Sequence, residues 1–166
     1  MCPEEALEGD DSLRGIGRRP PLPSSGGIYS ICFALDAAVE VKGRSGRRVA
    51  AAGPGLVLYV GSAGGPGGIG ARLARHLSRP GRVVWHIDSV SSSPNSRPLF
   101  VYYEVGRYGT QAEDELALYL MSRAYLRPLG MAGASDSAAP HMFECYDINS
   151  VLEALRARAG SLVMLA

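Results

Sequence analysis

The chain has 166 residues, 46% of them hydrophobic, with 17 Lys and Arg against 16 Asp and Glu. That length supports one domain with a core of its own and is short for two. The chain has neither an apolar run of bilayer-spanning length nor, at its acidic N-terminus, the basic-then-apolar plan of a signal peptide, so a soluble, cytoplasmic protein with no membrane partner is expected.

Residues 1–25 combine acidic clusters with Arg18, Arg19 and several prolines, without apolar periodicity, and predict a flexible arm. Residues 26–35 alternate Tyr29, Ile31, Phe33 and Leu35 with Ile28, Ser30, Cys32 and Ala34, a strand covered on both faces. A hydrophilic hairpin loop at 42–48 follows, suited to lean on a nucleic-acid backbone, then a second strand over 56–61, antiparallel to the first. Past a glycine-rich turn, Ile69, Leu73 and Leu77 form the apolar stripe of a helix that places Arg72, Arg75, His76 and Arg79 on its other side and stops at Pro80-Gly81. Residues 99–105 read as a third strand. Thr110 and Glu113 have capping-box spacing at the start of a helix reaching about Arg127, with Leu116, Leu120 and Ala124 inward and Pro128 as its stop. A small-residue loop, an extended segment over 141–146 and a last helix opened by a Ser150/Glu153 capping box complete the domain at residue 159, leaving 160–166 as a tail.

Charge is distributed unevenly along these elements. Residues 26–110 hold ten Lys or Arg against four Asp or Glu, while both flanks are net acidic. A basic motif-bearing half suits a polyanion-binding surface, although a solvated Arg-rich face has the same composition. Cys2, Cys32 and Cys145 are odd in number and far apart, without C-x-x-C spacing, and are expected as reduced thiols.

Gly27-Ile28-Tyr29 opens the first strand and Tyr59-Val60-Gly61 closes the second; Arg72 and His76 follow one helical turn apart, then Trp85-His86-Ile87-Asp88, Glu113, and Ser135-Asp136 separated by four residues from His141. This series resembles the GIY-YIG nuclease superfamily, and in its W-H-I-D and S-D-x4-H motifs a largely archaeal branch of it, over roughly 26–147. Val60 replaces the second isoleucine. Ser137 stands where the branch carries a cysteine, so a cysteine-ligated metal is not expected.

The resemblance implies an α/β (α+β) fold with a small, mainly antiparallel sheet of three to four strands flanked by helices. It also implies a metal-dependent endonuclease acting on DNA, of structured or damaged form in repair or recombination, with a repair protein as a possible partner. Tyr29 would take the proton from water, Tyr59 would support it, and Glu113 would hold one Mg²⁺ or Mn²⁺, an ion satisfied by one carboxylate plus waters and phosphate. Arg72 offers a permanently charged planar fork to phosphoryl oxygens, and His76 could bind phosphate or assist proton transfer. Both tyrosines could equally be core aromatics, and Glu113 a helix cap. Asp114 and Glu115 point about 100° and 200° away from it around the helix and are poorer candidates. Arg75, Arg79, Arg47 and Arg48 are expected to contact nucleic-acid backbone or solvent. His86, Asp88, Asp136 and His141 are expected mainly as a hydrogen-bonded scaffold, a second cation site being the alternative.

Two other readings stand beside this one. The same surface could dock nucleic acid without cutting it, because fold does not establish activity. Alternatively, Gly65-Pro66-Gly67-Gly68-Ile69-Gly70 after a strand, with Asp88 further on, has the spacing of a dinucleotide fingerprint, though no second mononucleotide half follows.

Overall fold

The computed structural model describes residues 21–130 and 139–165. Ser135, Asp136 and Ser137, and most of the expected N-terminal arm, lie outside the described residues. Its described end, from Leu22 to Ser25, packs against the domain: Pro23 and Ser25 carbonyls accept from the Gly70 and Ile69 N–H groups at 2.8 and 3.0 Å.

The elements in chain order are β1 (Gly27–Leu35), β2 (Val39–Lys42), β3 (Arg48–Ala52), β4 (Gly55–Ala63), α1 (Gly68–Leu77), α2 (Ile87–Ser91), β5 (Ser96–Val105), α3 (Thr110–Arg123), β6 (Leu126–Pro128), β7 (Met142–Cys145), α4 (Ile148–Arg156) and β8 (Ser161–Met164). Among the described residues six strands form one sheet in the order β6-β7-β4-β1-β5-β8, and every pairing is antiparallel. β2 and β3 form a separate hairpin. β1 is central, which explains why both its faces are apolar and all nine of its residues are buried.

The alternation of β1 divides the core. Tyr29, Ile31, Phe33 and Leu35 face a cluster built with Ile69 and Leu73 of α1, Ile87 and Val90 of α2, and Val39 and Val41 of β2. Ile28 and Cys32 face the opposite cluster, with Leu116 and Leu120 of α3 and Val151 and Leu155 of α4. The domain is therefore a sheet between two layers of helix.

The sheet is larger than expected, by β6 and β8 at its two edges. β8 occupies the expected tail and pairs with β5, so the domain extends past residue 159. α3 ends at Arg123 rather than near Arg127, because Ala124 turns extended and starts the path into β6, where Pro128 sits on an edge strand. Neither capping box forms. Gly109, at φ 96°, is the N-cap of α3, with Thr110 already inside the helix. Asp147 caps α4 by accepting from the Asn149 N–H at 3.0 Å. No described helix is long and apolar enough to cross a membrane.

Candidate active site

Close packing fixes a glycine in each tripeptide. Tyr29 lies opposite Gly61 in the β1–β4 ladder, and a Cβ on Gly61 would fall 2.3 Å from Tyr29 Cζ. A Cβ on Gly27 would fall 2.0 Å from the Glu104 carbonyl oxygen and 2.7 Å from Ile69 Cδ1, so α1 can approach β1 only with glycine there. Tyr59 is two residues from Gly61 and thus on the same face; the Tyr29 and Tyr59 ring centroids are 6.3 Å apart.

α1 crosses this face. His76 was expected on the polar side of the helix, but it is 1% exposed and belongs to the buried side. Its Nε2 is 2.8 Å from the Tyr29 hydroxyl, and its ring packs edge-on to Tyr59 and Trp85. Burial lowers the His76 pKa against the opposing pull of Asp88, and so favours the neutral imidazole. Arg72, half-buried one turn earlier, lays its guanidinium 4.3 Å above the centroid of the Trp85 ring.

Asp88 anchors the far side of the cluster. Fully buried, it accepts hydrogen bonds from the Val84 and Trp85 N–H groups at 2.8 and 3.0 Å and from Arg75 at 2.9 Å. Burial alone would raise this carboxyl; contacts with His76, these two N–H groups and Arg75 outweigh it and hold the pKa well below the usual range. Its Oδ1 is 3.8 Å from His76 Nδ1, and neither atom has a hydrogen-bond partner among the described residues. Asp88 thus ties the Val84–Trp85 backbone to Arg75 of α1. Arg75 and Arg79, expected to reach nucleic acid, are engaged within the chain, Arg75 by Asp88 and the Arg82 carbonyl and Arg79 by the Ser96 carbonyl.

Glu113 comes from the opposite layer, in the first turn of α3. Burial raises its pKa, with His141 and Arg72 opposing and Asp114 adding to the rise. Burial is also the main cause that lifts both tyrosines well above the ordinary phenol value; Glu113 adds to this rise and Arg72 opposes it, which places these four groups in one electrostatic cluster. His141, 2% exposed, faces two carboxylates: Nδ1 is 3.6 Å from Glu113 Oε1 and Nε2 is 2.7 Å from Asp114 Oδ1. Its carbonyl accepts from the Val60 N–H at 2.8 Å, tying it to the second tripeptide. Asp114, a poor candidate by helical angle, therefore belongs to the site, because a histidine arriving from outside the helix reaches both carboxylates.

Tyr29, Tyr59, Arg72, His76, Glu113 and His141 thus converge, with Arg72 and Glu113 on the accessible side and the tyrosines and imidazoles behind them. Among the described residues no three His, Cys, Asp or Glu side chains are grouped to hold a metal. His86 is half-buried against the β2–β3 turn, Arg47 and Arg48 are exposed on that hairpin, and Asp136 lies outside the described residues.

The loop at 65–70 does not offer a dinucleotide site. The Ile69 and Gly70 N–H groups at the start of α1 are taken by chain carbonyls, β1 and β4 are antiparallel, and Asp88 is turned inward.

The fold and site define an α+β domain with a tyrosine, histidine, arginine and carboxylate cluster at one end of its central strand pair. The chain belongs to the family described as Domain of unknown function DUF123, whose model matches residues 28–164. No curated protein and no solved structure matches it.

Proposed function

We propose that this protein is a metal-dependent endonuclease of the GIY-YIG kind, hydrolysing phosphodiester bonds of DNA in structured or damaged form, with repair or recombination as its setting. The observation that carries the reading is the hydrogen bond between the Tyr29 hydroxyl and His76 Nε2, in a cluster whose accessible groups are a guanidinium and a carboxylate.

A buried phenol with a raised pKa is a poor base when it must become phenolate. Paired with a neutral imidazole it need not. A proton on His76 Nδ1, the atom facing Asp88, leaves Nε2 as acceptor. Tyr29 then accepts a proton from the attacking water while its own passes to Nε2, and Asp88 stabilises the resulting imidazolium. Arg72, placed over the Trp85 ring, presents its fork to the phosphoryl oxygens.

The residues fit one Mg²⁺ or Mn²⁺. Glu113 Oε1 is 3.6 Å from the nearest His141 nitrogen, too long for a hydrogen bond, so the carboxylate keeps lone pairs for an ion that takes its other ligands from water and phosphate. A bound cation would compensate the charge developing on the phosphate.

The test is incubation of the protein with labelled duplex, single-stranded, flap and four-way-junction DNA in Mg²⁺, Mn²⁺ or EDTA, beside Tyr29→Phe and Glu113→Ala. Metal-dependent cutting lost in both variants is expected. Salt-sensitive binding without cutting on any substrate would replace the enzyme with a docking module on the same fold.

A further inference from the structure

We propose that the β2–β3 hairpin is a DNA grip, in which Arg44, Arg47 and Arg48 take phosphates of the duplex flanking the scissile bond. The inference rests on the nuclease reading and adds a binding element outside the catalytic cluster.

The hairpin is inserted between the two strands that carry the tyrosines, yet it is not paired into the main sheet. Val39, Val41 and Ala52 are instead buried in the core on the site face, which makes the hairpin a fixed arm. Its tip is held as well. The Lys42 N–H donates to Ser89 Oγ at 2.9 Å, and Gly43 lies beside His86, whose Nε2 a Cβ there would meet in ordinary contact at 3.5 Å. His86 follows Trp85, the platform of Arg72, so the tip is fixed within a few residues of the phosphate-facing arginine.

The charges at the tip differ from those elsewhere on this face. Arg75 and Arg79 are used internally. Arg44, Arg47 and Arg48 are exposed, and all three lie within five residues of the tight turn closed between Gly43 and Gly46. Arg44 and Arg47 meet no acidic side chain among the described residues. Arg48 meets only Glu40, at 3.8 Å with both side chains about 60% exposed, a contact of little energy. Uncompensated guanidinium groups on a rigid support are what a phosphate backbone recruits, with release of its counterions.

The experiment is fluorescence anisotropy with a labelled DNA duplex in EDTA, across a salt series, comparing wild type with the R44A/R47A/R48A variant. Thermal unfolding first establishes that the variant is folded, as exposed positions predict. The expected result is affinity at low salt weaker by about tenfold or more and a log Kd against log salt slope shallower by about 2 to 3. A variant that binds like wild type overturns the grip and leaves the nuclease reading standing. A wild type that neither binds nor cuts DNA overturns both. Duplex RNA of the same sequence, held more tightly than DNA through the same three arginines, would overturn the assignment to DNA.

Discussion

Tyr29 and Gly61 face each other across the β1–β4 ladder so closely that the glycine's missing Cβ is the space the tyrosine ring occupies. Any side chain at Gly61 must displace the ring, and with it the hydroxyl that meets His76. Gly61→Ala is therefore expected to cost about 1–3 kcal/mol of stability through overpacking. It should also abolish cutting while Arg72 and Glu113 remain in place. Gly65→Ala is the control, since a Cβ there meets nothing within 4 Å. Equal melting temperatures for Gly61→Ala and wild type would show that the ring has another resting place.

The buried pair of Tyr29 and His76 sets a pH dependence. Proton uptake at Nε2 requires neutral His76, whose pKa is lowered chiefly by burial. The acid limb of the rate profile should thus lie below the ordinary histidine value of about 6.5. Asp88 pulls the His76 pKa upward, so Asp88→Asn should move the limb to still lower pH while reducing the rate. The check is kcat against pH for both proteins; a limb above the ordinary value would remove His76 from the relay.

Arg72 on Trp85 separates geometry from charge. Lysine keeps the charge and loses both the planar fork and the stacking. Arg72→Lys is expected to lower kcat by about 10²–10³-fold, the scale for losing one preorganised donor to a transition state. Stability should change by only about 1 kcal/mol, the scale of one cation–π contact. A variant that turns over normally would mean that charge alone suffices there.

Much of this was legible in the chain because β1, β4, β5 and β7 carry unbroken apolar or alternating runs, and α1 an Ile69/Leu73/Leu77 stripe. His76 was misplaced although its spacing held the answer. It is seven residues from Ile69, only about 20° away around the helix, so it shares the buried stripe. The strands β2, β6 and β8 are three or four residues long, too short for a period to declare itself, and exist because a neighbouring strand supplies their partners. The caps differ from the spacing for a local reason: the chain turns into α3 at Gly109 and into α4 at Asp147, one and three residues ahead of Thr110 and Ser150. Asp114 was invisible because its partner, His141, is 27 residues away, and no pattern within α3 points to it.

Asp88 joins stability to the site. Its folded pKa lies below that of the unfolded chain, because three hydrogen-bond donors and His76 outweigh the penalty of burial. A depressed carboxyl stabilises the fold at pH above its unfolded value of about 4, and that contribution is lost as pH falls toward the folded value. Asp88→Asn is consequently expected to cost about 3 kcal/mol at pH 7, the scale for breaking a buried ion pair from one side. The amide oxygen can take the place of Oδ2, which the Val84, Trp85 and Arg75 donors share, but without the charge, and the NH2 then faces His76 Nδ1 in place of Oδ1. The deficit should shrink as pH falls below about 4, since the unfolded wild-type chain takes up a proton at Asp88 there while the folded one still holds its charge, and the variant titrates in neither state. Denaturant titrations of both proteins at several pH values on either side of that point measure it. A difference that stays constant with pH would mean that Asp88 holds the Trp85 segment by shape, and that its charge is free to serve His76 alone.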